Sequence, residues 1–116
     1  MPAPGAEPSE DADLDVTVQQ LEQWIERGDV TLIDVRTEQE REICTIEGSL
    51  HIPVLGLERR LTELDPKQRI VVHCHRGPRS TRATNLLRGA GFERAFNLQG
   101  GIDRWADEID PTLPRY

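Results

Sequence analysis

Apolar positions recur along this chain in two rhythms that alternate from end to end. From Thr17 the residues Val18, Leu21, Trp24 and Ile25 repeat on one helical face, Thr17 and Gln20 fit a capping box, and Gly28 supplies a stop. Residues 30–35 (VTLIDV) then form an unbroken β-branched run, the pattern of a strand buried on both faces. A shorter strand is predicted at 50–52, ending at Pro53, followed by helical spacing of Leu57, Leu61 and Leu64 before the Asp65-Pro66 turn. Residues 70–73 (IVVH) read as a further buried strand. Ser80 is then predicted to cap a helix with Ala83, Leu86, Leu87 and Ala90 on its inner face and Gly91 at its end. A last strand at 95–98, a Gly100-Gly101 turn and a stripe of Ile102, Trp105 and Ile109 complete the pattern. Strands alternating with helices predict an α/β fold, a parallel sheet with helices on both faces. Trp24 and Trp105 lie on apolar faces and read as core.

Length bounds this pattern to one domain, since 116 residues leave no room for a second. Residues 1–14 carry prolines and acids, and their composition predicts a disordered acidic leader ahead of a folded domain at 15–116. No apolar run approaches the roughly 18 residues of a membrane span, and the N-terminus lacks the basic and apolar parts of a signal peptide. With two cysteines outside any zinc-type spacing, the expectation is a cytoplasmic protein with reduced thiols, no metal and no cofactor, and most simply a monomer. A net charge of -7 excludes general affinity for nucleic acid or anionic membranes. The charge is nevertheless uneven: residues 69–94 hold six arginines (Arg69, Arg76, Arg79, Arg82, Arg88 and Arg94) against the single acid Glu93. A basic segment inside an acidic protein predicts a focused anion site.

That segment contains HCHRGPRSTR, residues 73–82. Cys74 directly follows a buried strand and Ser80 opens a helix six positions later, so the thiol is placed at the C-terminal edge of the sheet, where open α/β folds bind ligands. A helix start offers unpaired N–H groups, and a tight loop containing Gly77 can turn its own N–H groups inward as an anion nest, although Pro78 contributes none. Lowering a thiol pKa by about two takes about 2.7 kcal/mol of preferential stabilisation of the thiolate. A helix terminus supplies ~0.3–1 kcal/mol, up to ~2 when partly buried, so Arg76, Arg79 and the loop N–H groups are expected to supply the remainder. Against this, Cys74 as an inert core residue does not explain the basic, Gly-containing loop that follows it. Cys44 reads as a small turn residue, with a resolving or regulatory thiol as the alternative. His73 reads as packing at the strand end, and His75 equally as a base or as packing; Arg82 and Arg88 read as solvated helix-face residues.

The same residues resemble the rhodanese, or sulfurtransferase, family over nearly the whole stretch 15–116. IDVRTEQERE at 33–42 is similar to the family's DVR segment, EGSLHIP at 47–53 to the segment ending IP, CHRGPRS at 74–80 to the CxxGxRS active-site loop, and GGIDRW at 100–105 to the late GGxxxW signature. The resemblance implies a rhodanese-like three-layer fold with a five-stranded parallel sheet. It implies that Cys74 is the sulfur-carrying nucleophile, that His75, Arg76, Gly77, Arg79 and Ser80 form the cradle for its substrate and persulfide, and that Asp34 and Arg36 pair structurally below it. The C-terminal stretch GGIDRWADEIDPTLPRY is most similar to the rhodanese domains that end MoeB/ThiF-type adenylyltransferases. One departure stands out: Cys44-Thr45-Ile46 replaces the family's Gly-His-Ile.

The reaction so implied takes sulfane sulfur from a small anionic donor such as thiosulfate, holds it on Cys74 and passes it on, a covalent two-step exchange. A phosphatase or arsenate reductase of related fold is the alternative, but such loops place an arginine after five intervening residues, and here four separate Cys74 from Arg79. A non-catalytic binding or regulatory module is a third reading, with the intact Cys74 against it. With one domain and no cover, the persulfide is expected to lie open to a partner, for which the resemblance implies a ubiquitin-like sulfur-carrier protein with a slender C-terminus.

Overall fold

The computed structural model describes residues 14–116, so the expectation of a disordered acidic leader lies almost wholly outside the described residues. In chain order the elements are β1 (Asp15–Val16), α1 (Val18–Glu26), β2 (Thr31–Asp34), α2 (Glu38–Ile43), β3 (Leu50–His51), two 3-10 helices (Val54–Gly56 and Glu58–Glu63), β4 (Ile70–His73), α3 (Pro78–Gly89), β5 (Ala95–Leu98) and α4 (Gly101–Glu108). The five strands form one sheet of order β1-β5-β4-β2-β3, and every pairing is parallel. Among the described residues no helix is long and apolar enough to cross a membrane.

Strand periodicity divides the core between the two faces of the sheet. Leu32, Val71 and Phe96 point to one side, where they pack with Val18, Leu21 and Trp24 of α1 and Ile102 and Trp105 of α4. Their neighbours Ile33, Ile70, Val72 and Ala95 point to the other, against Ala83 and Leu87 of α3 and Leu57 and Leu64 of the 3-10 segment. Both faces are therefore covered, as the uninterrupted apolar strands require.

Several local expectations are corrected. Ser80 does not cap α3: the helix starts two residues earlier at Pro78 with Gly77 as its cap, because Gly77 at φ 137° turns the chain and proline pre-sets the first helical φ. The buried face of α3 is accordingly Ser80, Ala83, Thr84 and Leu87, while Leu86 is half-buried and Ala90 exposed. The segment with Leu57, Leu61 and Leu64 winds as 3-10 helix, and its sequence contains the weak α-formers Gly56 and Thr62. Gly101 belongs to α4 rather than to a turn before it. The edge strand β1 and the short helix α2 were not apparent from apolar periodicity: β1 has two residues, and α2 buries none of its side chains.

Candidate active site

The position of Cys74 follows from strand parity and sheet order together. Ile70 and Val72 face α3, so the next residue of that parity, Cys74, emerges on the α3 side just beyond the end of β4. β4 continues through α3 to β5 on one side, while its other neighbour β2 continues through α2 to β3 in the opposite direction. The gap between the C-terminal ends of β2 and β4 is thus a switch point of the sheet.

Residues 75–77 wrap around the sulfur. The Gly77 N–H donates to Cys74 Sγ at 3.1 Å, and the Ser80 hydroxyl lies 3.3 Å from it. α4 closes the loop from behind: its Ile102 N–H donates to the Cys74 carbonyl at 3.0 Å and its Asp103 N–H to the His75 carbonyl at 3.1 Å. That approach needs Gly101, where a Cβ would stand 2.4 Å from the His75 carbonyl oxygen. Burial pushes the Cys74 thiol up. The Ser80 hydroxyl and the N–H groups of Ser80, Gly77 and Arg76 outweigh burial and hold it below the usual thiol value.

The arginines reach elsewhere. Arg79 donates to the Glu40 carboxylate of α2 at 2.5 and 2.8 Å, and Arg76, whose side chain is largely exposed, sits 3.7 Å from Asp103 of α4. The groups bonded around Sγ are therefore a hydroxyl and main-chain N–H groups, with Arg79 acting on the thiol as a charge at a distance. The bond to Arg79 holds the Glu40 carboxyl well below its ordinary range. Cys74 itself is 1% exposed. The unmodified thiol thus lies beneath its loop.

Below the site, Asp34 and Arg36 form a fully buried bidentate pair at 2.9 and 2.8 Å. Burial pushes Asp34 up, and its bonds from Arg36, with the charges nearby, bring it net below the carboxylate norm. The Arg36 fork is used to the full, since it also donates to the Cys44 carbonyl at 2.7 Å and to the Tyr116 hydroxyl at 3.0 Å. Tyr116 in turn donates to Glu40 at 2.7 Å and stacks on His75 with ring centroids 4.0 Å apart. Burial, with the Glu40 carboxylate beside it, pushes the Tyr116 phenol up to about 12.

His75 is therefore a packing partner of Tyr116 near the mouth of the loop. His73 is completely buried; its Nδ1 lies 3.2 Å from the Cys74 carbonyl, and burial lowers its pKa to about 4. Kept neutral by burial, it satisfies that carbonyl in its Nδ1–H tautomer. Cys44 is buried against the Arg36 guanidinium, in the turn where the family's Gly-His-Ile is replaced. Sequence reasoning missed Glu40, Asn97 and Tyr116. Glu40 had a signal in the Thr37-x-x-Glu40 capping box, whereas Asn97 and Tyr116 contact the site only through the tertiary fold.

Comparison with known proteins matches this architecture throughout. The profile of the rhodanese-like domain family matches residues 17–108. MoeZ of Mycobacterium tuberculosis, named a probable adenylyltransferase/sulfurtransferase, is 35% identical over 104 residues, covering 87% of this chain and 26% of that protein. The adenylyltransferase and sulfurtransferase MOCS3 of Arabidopsis thaliana is 34% identical over 73% of this chain and 22% of its own length. The chain thus spans about a quarter of these curated relatives. Among solved structures, the human single-domain sulfurtransferase TSTD1 superposes with a TM-score of 0.76 at 28% identity, covering 84% of this chain and 98% of that one. A family match over most of the chain, on a sheet whose switch point holds the loop 74–80, identifies the protein as a member of the rhodanese-like domain family.

Proposed function

We propose that this protein transfers sulfane sulfur through a persulfide on Cys74. The observation that carries this reading is the donor set around Sγ, the Gly77 N–H and the Ser80 hydroxyl, at the C-terminal edge of the sheet. In the first half-reaction the Cys74 thiolate attacks the outer sulfur of thiosulfate. The sulfur–sulfur bond of the donor breaks and its electron pair leaves on sulfite. In the second half-reaction a nucleophilic acceptor such as cyanide attacks the outer sulfur of the persulfide, and the pair returns to Cys74 as thiolate. Inward N–H groups suit both the thiolate and the negative terminal sulfur, because each is a soft anion needing donors and no proton. Arg76, Arg79 and His75 line the approach of the anionic donor.

The acceptor we favour is the activated C-terminus of a small sulfur-carrier protein. There the outer persulfide sulfur is itself the nucleophile, attacking the acyl carbon as the adenylate leaves. Two thiol equivalents then reduce the acyl disulfide, releasing the thiocarboxylate and returning Cys74 as thiolate. Relatives named adenylyltransferase and sulfurtransferase support this, as does a basic loop in a protein of net charge -7, which favours a slender anionic segment over a broad acidic face. Thiosulfate:cyanide turnover by the wild type, absent in Cys74→Ser and largely kept in Cys44→Ser, supports the Cys74 route. Loss of turnover in a folded Cys44→Ser variant overturns it. The carrier is tested by mass after incubation with ATP, an adenylating enzyme, a thiol reductant and persulfidated protein: gain of a thiocarboxylate supports it. Transfer to cyanide alone points to general handling of sulfane sulfur.

A further inference from the structure

Ser80 has one hydroxyl proton and three acceptors around it: Cys74 Sγ at 3.3 Å, the Gly77 carbonyl at 3.0 Å and Asn97 Oδ1 at 2.5 Å. The shortest of these contacts is the one furthest from the chemistry. Asn97 lies on β5 directly opposite Asp15 of β1, and its Nδ2 donates to Asp15 Oδ1 at 2.8 Å. The bond to Asp15 fixes which way the Asn97 amide faces, because the reversed amide would set its carbonyl against a carboxylate. With the amide so fixed, Oδ1 must face Ser80 as an acceptor. Ser80, Cys74 and Asn97 are all buried, so water cannot substitute for the partner that the hydroxyl leaves.

We propose that Asp15 and Asn97 form with Ser80 a proton-positioning line that holds the Ser80 hydroxyl toward Asn97 while Cys74 Sγ is neutral and yields it to Sγ when the thiolate is formed. This deepens the sulfur-transfer reading above and rests on it for its use in turnover. In both the thiol and the persulfide, Sγ carries no charge and makes little demand on the hydroxyl. As an acceptor takes the outer sulfur, the sulfur–sulfur bond breaks and its electron pair stays on Sγ. Ser80 then turns its O–H from Asn97 to the new thiolate, a rotation about one bond with no net proton transfer. Asn97 and Asp15 touch neither substrate nor sulfur, so they are positioning residues. Their opposition makes the thiolate less stable than Ser80 alone would, which keeps Cys74 reactive as a nucleophile while Ser80 still assists its departure.

Other titratable groups stand on the elements packed around Cys74: Asp34 and Glu40 from the β2 side, His73 and His75 in its own segment, Arg79 on α3 and Asp103 on α4. Arg76, exposed in the loop, adds a charge. Among the described side chains, Ser80 is the one hydrogen-bonded to Sγ. The line therefore predicts opposite effects at its two ends. In a Cys44→Ser background, which leaves Cys74 as the reactive thiol, the rate of iodoacetamide alkylation is followed against pH. Asn97→Leu removes the competing acceptor and should lower the apparent pKa of Cys74 by about half to one unit, and Ser80→Ala should raise it by a similar amount. Asp15→Asn, a conservative change at the sheet edge, frees the Asn97 amide to reverse and should lower it by less. Shifts of the same sign in Asn97→Leu and Ser80→Ala, or no shift in either Asn97→Leu or Asp15→Asn, overturn the proposal. Alkylation needs no sulfur donor, so failure of the sulfur-transfer reading shows itself separately, as absence of a persulfide with thiosulfate in the parent protein.

Discussion

Glu40 holds Arg79 away from the sulfur that the arginine was expected to surround, through bonds of 2.5 and 2.8 Å from the two guanidinium nitrogens to the two carboxylate oxygens. Arg79 remains electrostatically coupled to Cys74, so Glu40 neutralises a charge that an anionic donor would otherwise meet. Glu40→Gln keeps the capping role at α2, because glutamine serves equally at that position, and removes the charge together with one of the two oxygens that accept from Arg79 and Tyr116. The KM for thiosulfate should fall by about two- to fivefold in this variant, and the gain should shrink with added salt. Arg76→Ala should raise it. Steady-state kinetics at two ionic strengths check both, and a preference for 3-mercaptopyruvate over thiosulfate would contradict the role given to these arginines.

Burial of His73 makes a pH-dependent contribution to stability. Its folded pKa, about 4, is depressed below the ordinary value of 6.5, so the unfolded chain binds the extra proton first. The contribution is complete above the unfolded value and is lost as pH falls from about 6.5 toward 4, by about 3 kcal/mol in full. Asp34, also held below its ordinary value, loses its contribution in the same direction but further into acid. Urea midpoints at pH 7 and pH 4.5 should differ in the wild type and differ less in His73→Asn, which preserves a donor to the Cys74 carbonyl.

Loop length sets what fits above the sulfur. With four residues between Cys74 and Arg79, and Arg79 held by Glu40, the loop presents its N–H groups to a single sulfur atom rather than to a tetrahedral oxyanion. Aryl phosphates should therefore not be hydrolysed. Insertion of one small residue after Gly77 should widen the cradle toward arsenate and phosphate analogues. Wild-type phosphatase turnover that disappears in Cys74→Ser would reverse the assignment.

The sheet and the loop were legible in the sequence because both rest on short-range patterns. The β-branched runs at 30–35 and 70–73 read as strands buried on both faces, and the position of Cys74 directly after the second placed it at the C-terminal edge of the sheet. The start of α3 was misplaced because serine is a common cap, whereas here Gly77-Pro78 turns the chain and begins the helix and Ser80 turns inward to the sulfur. Charge was harder to read than shape. Clustering of arginines marks a basic segment along the chain, but the partner of Arg79 lies 39 residues away on α2, and that of Arg76 on α4. Tyr116 and Asn97 carry no local signal at all, since what they do depends on His75, Arg36, Ser80 and Asp15 brought beside them by the fold.

The central claim, that Cys74 carries the transferred sulfur, is tested most directly by the intact mass of the protein after incubation with thiosulfate. The account predicts a gain of one sulfur atom that is removed by a thiol reductant, present in the wild type and in Cys44→Ser and absent from Cys74→Ser. An unchanged wild-type mass, or an adduct that survives in Cys74→Ser, would contradict it.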